Sequence, residues 1–252
     1  MASNRSIDRA IDVLQAFTIE KPRLNLEEIA KITKIPNATV YRILYTLERR
    51  GLVQFDQQTL TYKPGLRLVE FGYLITSVLD VRQEAEEYLI DLQTQTKQTV
   101  LMAVPDGDQI VYIFKRENHE GLKFSSLVGQ RRPYIYGILG PVLLAFHHDE
   151  YIDRMLDVPI PQRTPYTVTD KDLIRERIKQ IRQDKIYVEG NETNLGVIGL
   201  GAPVFDSSGN AIAAIGVIGP EVQLVNEEFE KAKSLLIETA EKISKRMGYK
   251  VI

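Results

Sequence analysis

The sequence predicts an α+β protein in two parts: a small winged helix-turn-helix head and a larger body with a mainly antiparallel sheet. Three observations carry this. Residues 24–53 read LNLEEIAKITKIPNATVYRILYTLERRGLV, two short amphipathic helices around a proline-containing turn. From residue 99 the apolar period shortens from helical to alternating. Beyond that point runs of strands with helices interposed replace strict βαβ alternation, which favours an antiparallel sheet.

The elements follow in order. An opening helix is expected near 6–18, with Ile7, Ala10, Ile11, Leu14 and Phe17 facing a three-helix core. Asn25 is placed to cap the next helix, and Glu28 supplies the return half of a capping box. Leu26, Ile29 and Ala30 form its apolar face. Pro36 biases Ile35 away from helix and makes the turn. Asn37 is the expected cap of the following helix, whose buried stripe is Val40, Ile43, Leu44 and Leu47. Gly51 is placed to stop it. Leu52–Phe55 and Leu60–Lys63 then read as a strand pair around Asp56–Thr59, closed by Pro64 and Gly65: a wing.

A linker helix near 66–78 carries Leu66, Val69, Phe71, Leu74 and Ile75. These residues either pair two heads or pack only within one protomer. Asp80 opens another helix, near 81–97. In the body, strands are expected at 99–104 and 109–115 around PDGD, near 122–128, at 186–189, and at 197–205 and 211–218 around DSSGN. Helices are expected near 140–147, 150–156, 170–183 and 227–247. The domain division read from this is 1–65, 66–79 and 80–252.

The exposed side of the second head helix suits DNA. Its N-terminal turn can reach base edges in a major groove while the remainder meets phosphates. Arg42 can pair with guanine, Asn37 with adenine, and the methyls of Ala38 and Thr39 with thymine. Tyr41 and Tyr45 can bond phosphates, and Arg49 and Arg50 can neutralise them. Arg5, Arg9 and Lys63 are further backbone contacts. Gln57, Gln58 and Thr59 at the wing tip read either as groove contacts or as a soluble turn. The charge distribution agrees. Residues 1–75 hold 11 Lys+Arg and 8 Asp+Glu, a surplus of three, and the remainder holds 21 and 26, a deficit of five.

Composition excludes several classes. The chain has no cysteine, hence no disulfide, thiolate metal site or cysteine nucleophile. No apolar run is long enough for a transmembrane helix. The amphipathic, acid-containing N-terminus is unlike a signal peptide, so a cytoplasmic location is expected. No nucleophile elbow, phosphate loop or metal quartet supports the competing reading of an enzyme with an accessory head. His147 and His148 beside Asp149 and Glu150 read as a solvated helix end, with His119 the only other histidine; no metal or cofactor is expected. A winged helix serving only protein interaction is the other alternative, and it should lack salt-dependent duplex binding. Glycines crowd 129–146, 187–206 and 213–220, which suggests either a ligand cavity or tight strand packing with bulges. Arg131 and Arg132 can clamp an anion or stay solvated, and Asn191, Glu192 and Asn194 line a pocket or shape its rim.

The chain resembles the IclR family of bacterial transcription regulators over nearly its whole length. The motifs are RAIDVLQAF, PNATVYRILYTLERRGLV, the P…G…LLAF block and LGVIGLGAPVFD…AIAAIGVIGP. The resemblance implies a GAF-like effector domain behind the head. It also implies homodimers or dimers of dimers, a double-stranded operator, and control of catabolic genes by a small, often organic or aromatic, acid. The family's effector contacts correspond here to the loop Gly137, Ile138, Leu139 and Gly140, where amides can meet a carboxylate, and to Glu189, Gly199, Gly216 and Ile218. Small polar residues found in keto-acid-binding members are replaced at Gly199, Gly216 and Ile218. Pro141 stands where many relatives carry lysine, and Tyr134 and Tyr136 add bulk. A roomier, more apolar cavity and a larger effector than glyoxylate or pyruvate are therefore expected.

Overall fold

The computed structural model describes residues 4–77, 80–117 and 126–250. The chain divides into two compact units, residues 1–78 and 79–252. Each is taken by itself.

In the first unit, α1 (Arg5–Gln15), α2 (Leu26–Thr33) and α3 (Asn37–Arg49) precede the strands β1 (Val53–Asp56) and β2 (Thr61–Pro64) and the helix α4 (Arg67–Ser77). The capping box forms as the sequence implies. The Asn25 side chain accepts from the Glu28 amide at 2.9 Å, and the Glu28 carboxylate accepts from the Asn25 amide at 2.8 Å. Such a cap contributes about 1 kcal/mol. Lys34 ends α2 in the left-handed region at φ 57°. The stop after α3 is a Schellman arrangement: the Leu52 amide donates to Leu47 and the Gly51 amide to Glu48, both at 2.9 Å, with Gly51 at φ +71°. Gly65 lies against this stop, where a Cβ would sit 2.1 Å from the Gly51 carbonyl oxygen. Only glycine lets the wing leave so close to the end of α3.

Three expectations for this unit are corrected. Asn37 does not cap α3. Pro36 holds the N-cap position without a side-chain bond and Asn37 is the first helical residue, because Pro36 at φ −57° and ψ 140° turns the chain one residue earlier. The face of α1 is rolled: Val13 and Ala16 enter the core, Leu14 and Phe17 flank it, and Ile7 and Ile11 remain exposed. The apolar stripe of α1 is wider than its packing against the core covers. The wing strands begin one residue later than expected, and Leu60 joins the tip at φ 54°. Leu24 pairs with Tyr62 as an additional bridge, exchanging backbone bonds of 3.0 and 2.8 Å. At the wing, Asp56 accepts from Arg23 at 2.7 Å and from the Gln58 and Thr59 amides. Arg23 foremost holds its carboxyl below the ordinary range.

The second unit holds α5 (Asp80–Thr96), β3 (Thr99–Asp106), β4 (Gln109–Arg116), β5 (Arg131–Pro133), α6 (Leu139–Leu144), α7 (Asp149–Leu156), α8 (Lys171–Asp184), β6 (Tyr187–Gly190), β7 (Val197–Phe205), β8 (Ala211–Pro220) and α9 (Asn226–Arg246). The strands form one sheet in the order β5-β4-β3-β8-β7-β6, and every neighbouring pair is antiparallel. Alternation along β3 feeds two cores. Val100 and Met102 pack with Leu89 of α5 and Leu236 of α9 on one face, while Leu101 and Ala103 pack with Leu139 and Val142 of α6 and Ile178 of α8 on the other.

The strand expected near 122–128 falls partly outside the described residues, and 126–128 are not strand. The described edge strand is β5, three residues long. Its brevity gives it no readable period.

Candidate functional site: a DNA-facing helix and a buried anion pocket

On α3, Asn37, Ala38, Tyr41, Arg42, Tyr45 and Arg49 are exposed and Thr39 is half-buried. Capping does not occupy the Asn37 amide, which leaves it available for a base. Arg9 of α1 lines a groove together with Thr39 and Arg42, so the structure brings these three together. Arg5 is exposed at the start of α1. The Arg49 guanidinium carbon lies 5.9 Å from the centroid of the Tyr45 ring. Lys63 on β2 is half-buried and pairs across the wing with Gln54. The first amides of α3 have no side-chain acceptor, which suits a phosphate oxygen.

The body contains a small cavity of about 40 Å³ between the sheet and the loop before α6. Its walls include Tyr112 of β4, Arg132 of β5, Ser126, Gly137, Ile138 and Glu189 of β6, with Gly199 and Ile218 on the neighbouring strands. Arg131 and Arg132 separate by strand alternation. Arg131 is exposed and ion-paired with Asp106, whereas Arg132 lines the cavity and its Nε is buried without a hydrogen-bond partner. Burial pushes the Tyr112 phenol up, opposed by the charge of Arg132 and by its bond to Ser126. Burial also raises the carboxyl of Glu189, although it accepts the Thr193 amide at 2.6 Å. The pocket therefore offers one half-buried cation, a phenol and a carboxyl whose pKa burial raises. That donor set matches a small anion such as a carboxylate.

The expected extra room over the glycines is not there. A Cβ on Gly199 would lie 2.6 Å from Cγ2 of Ile138, and one on Gly216 would lie 2.5 Å from its Cδ1. Ile138 fills the space, so these glycines admit the loop and do not enlarge the cavity. Leu139, Gly140 and Gly216 do not line this cavity, while Gly137, Ile138, Glu189, Gly199 and Ile218 do. Arg132, Tyr112 and Ser126 are missing from the family-derived set. For the first, the Arg-Arg pair signals only that a strand turns one of two neighbours inward, and the sheet register says which. His147 stacks on Tyr151 at 4.3 Å between ring centroids. No group of three potential metal ligands occurs among the described residues, and His119 lies outside them. No described helix is long and apolar enough to cross a membrane.

A winged helix with a basic, hydroxyl-rich outer face, together with a body whose small cavity is lined by Arg132, Tyr112 and Glu189, is the arrangement of a ligand-responsive DNA-binding transcriptional regulator. The chain belongs to the IclR family. The IclR helix-turn-helix domain matches residues 6–57, and the bacterial transcriptional regulator IclR C-terminal domain matches residues 73–245. The chain is similar to the HTH-type transcriptional regulator KdgR of Escherichia coli K12, at 28% identity over 97% of this chain and 93% of the relative. In fold it is similar to an IclR transcriptional regulator from Alicyclobacillus acidocaldarius, with TM-score 0.88 and 24% identity over 98% of this chain and 100% of that one. A second similar structure is an IclR homologue from Microbacterium hydrocarbonoxydans complexed with 4-hydroxybenzoate, with TM-score 0.87 and 22% identity over 96% and 98%. The matched C-terminal family model and the similar relative are both named as transcriptional regulators.

Proposed function

We propose that this protein represses a catabolic operon and is released from its operator by a small organic acid. The observation that carries the acid is Arg132, whose buried Nε has no partner and whose side chain lines the cavity beside Tyr112 and the Gly137 loop. A buried guanidinium N–H left without an acceptor is costly, and a carboxylate satisfies it. The 4-hydroxybenzoate held by the Microbacterium homologue is likewise a carboxylate.

On the DNA side, Asn37, Ala38, Thr39 and Arg42 read bases, while Arg5, Arg9, Tyr41, Tyr45, Arg49 and Lys63 hold phosphates. The protein works as a homodimer or a dimer of dimers in the cytoplasm. Two heads then read half-sites about 34 Å apart or a multiple of it. The exposed Ile7 and Ile11 of α1 and the exposed Leu66, Val69 and Phe71 at α4 support pairing of heads. Residues 66–97 carry the effector's influence to the head. The effector changes DNA affinity only by its differential affinity for the two arrangements.

The test is a titration of upstream DNA with and without aromatic and sugar acids. In the Arg132→Gln protein, acid affinity is expected to fall about 10- to 100-fold, as for loss of a charged hydrogen bond, with DNA affinity kept. Full acid response in that variant contradicts the assignment.

A further inference from the structure

The wing ends on an apolar residue that the fold does not use. β1 and β2 pair from Val53 opposite Pro64 to Asp56 opposite Thr61, which leaves Gln57, Gln58, Thr59 and Leu60 as the tip. All four are exposed, Leu60 by 66%. Leu60 is neither in the head core nor among the residues packed against that core. Its backbone sits at φ 54°, in the left-handed region that a leucine rarely adopts. Two hairpins of the body meet the same need with glycine: Gly107 between β3 and β4 at φ 59°, and Gly209 between β7 and β8 at φ 82°. Among the described residues, the other non-glycine residues at positive φ are Lys34, Lys97, Lys185, Asn191 and Asn226, all polar. Leucine at position 60 therefore strains the backbone and gains little burial. A strained residue kept in a solvent-facing turn points to a contact made outside the fold.

The turn beneath Leu60 is stiff. Asp56 accepts from the Gln58 amide at 3.0 Å and the Thr59 amide at 3.3 Å. The hydroxyls of Thr59 and Thr61 are 2.7 Å apart. Lower on the stem, the rings of Phe55 and Tyr62 lie 4.7 Å apart between centroids, and Tyr62 is part of the head core. Leu24 bridges to Tyr62 as well. Arg23 pairs with Asp56 at 2.7 Å and so offsets the acid that flanks the tip. A protein partner would call for a broad apolar patch, but the neighbours of Leu60 at the tip are two glutamines and a threonine. Duplex DNA suits this mixture. The groove beside the one that takes α3 is a minor groove about 6 Å wide, too narrow for a helix but open to side chains at a hairpin tip. Its base edges present acceptors to the Gln57 and Gln58 amides. Apolar side chains that enter it wedge between base pairs and kink the duplex. A stiff stem is needed to carry such a wedge, because the stack resists opening.

We infer that Leu60 is a minor-groove wedge: with α3 in the major groove, the wing tip enters the neighbouring minor groove, Leu60 inserts between two base pairs and the operator bends. Gln57 and Gln58 hold the tip to the base edges. The inference rests on α3 reading the major groove. Pyrimidine–purine steps such as TA unstack most readily, so the wedge places such a step beside each half-site.

The test follows affinity, bending and unstacking on the upstream intergenic duplex with the full chain. Dyes at the duplex ends report bending by energy transfer, and permanganate marks unstacked thymines. The unaltered chain should bend the duplex and expose thymines beside each half-site. Leu60→Gly suits the left-handed backbone, so its melting temperature should be equal or higher. Its affinity for the duplex should fall about tenfold, and the bend and the reactive thymines should disappear. The dependence of affinity on salt should stay as it was, because a wedge neutralises no phosphate. Leu60→Met keeps an apolar side chain and should keep both affinity and bend. Arg42→Ala should lose base discrimination yet still bend the duplex at saturation. A stable Leu60→Gly protein that binds and bends like the unaltered chain overturns the wedge, as does an unaltered chain that binds a straight duplex; both outcomes leave the reading by α3 intact. A changed oligomeric state in Leu60→Gly with DNA binding kept assigns the leucine to a contact between copies and likewise overturns the wedge. No binding of the unaltered chain to the upstream duplex overturns the wedge and the reading by α3 together.

Discussion

In the head, most groups assigned to DNA stand on the outside of α3, with Arg5 and Arg9 on α1 and Lys63 on β2, over a core built from residues close in sequence. In the body, the groups assigned to the effector lie inside and come from β4, β5, β6 and the loop before α6, which are widely separated along the chain. A DNA surface must stay open to a large rigid partner, so most of it is written on one helical face. A small acid must be enclosed to be told apart from other anions, so its site needs long-range assembly. Damage to the head should therefore leave acid binding intact, and damage to the pocket should leave DNA binding intact.

The largest effect that can break this contrast is expected from Gly65→Ala. The new methyl would meet the Gly51 carbonyl oxygen, and the cost is about 3 kcal/mol, the upper end for overpacking. The expected result in gel-shift and calorimetric assays is loss of specific DNA binding with acid affinity unchanged. Equal loss of both would show that the units are not separable in function.

Arg42→Ala sharpens the DNA side. It should cost about 1–3 kcal/mol at one base position. Binding to a set of single-base operator variants measures this, and a uniform loss across all sequences would move Arg42 to the phosphate contacts.

The smallest effect concerns Glu189. Burial raises its folded pKa above its ordinary 4.5, so the folded state binds that proton more tightly than the unfolded chain. The corresponding stability is fully present below 4.5 and is lost as pH rises through the raised value. Urea melts of Glu189→Gln across this window should show a flatter decline than the unaltered protein. Identical slopes would mean that Glu189 titrates normally.

Legibility in the sequence follows the same division. The capping box at Asn25 and Glu28, the Gly51 stop and the exposed face of α3 are set by residues within a few positions of each other, and each is readable. The paired strands β7 and β8 are equally plain, because their turn chemistry at DSSGN is local. The exceptions are physical. Asn37 was expected to cap, but a proline fixes the backbone one residue earlier. Ile7 and Ile11 have the period of a core face, yet periodicity does not say how much of a stripe finds a partner. In the body, Gly199 and Gly216 suggested open space. Whether a glycine leaves a void or admits a neighbour depends on Ile138, some 60 residues or more away in sequence. Only the sheet register shows that Arg132 faces inward while Arg131 meets Asp106. A small neighbouring cavity lined from α6, α8 and β6 is likewise assembled by loop contacts that no local pattern encodes.

The most direct test of the account is one titration in two proteins. The unaltered chain and Arg132→Gln are each bound to the upstream intergenic DNA, with a small aromatic acid such as 4-hydroxybenzoate added at fixed salt. The account predicts equal DNA affinity without the acid, a clear shift on addition in the unaltered chain, and little or none in the variant. Equal shifts in both proteins, or DNA binding that the acid leaves unchanged in both, would contradict it.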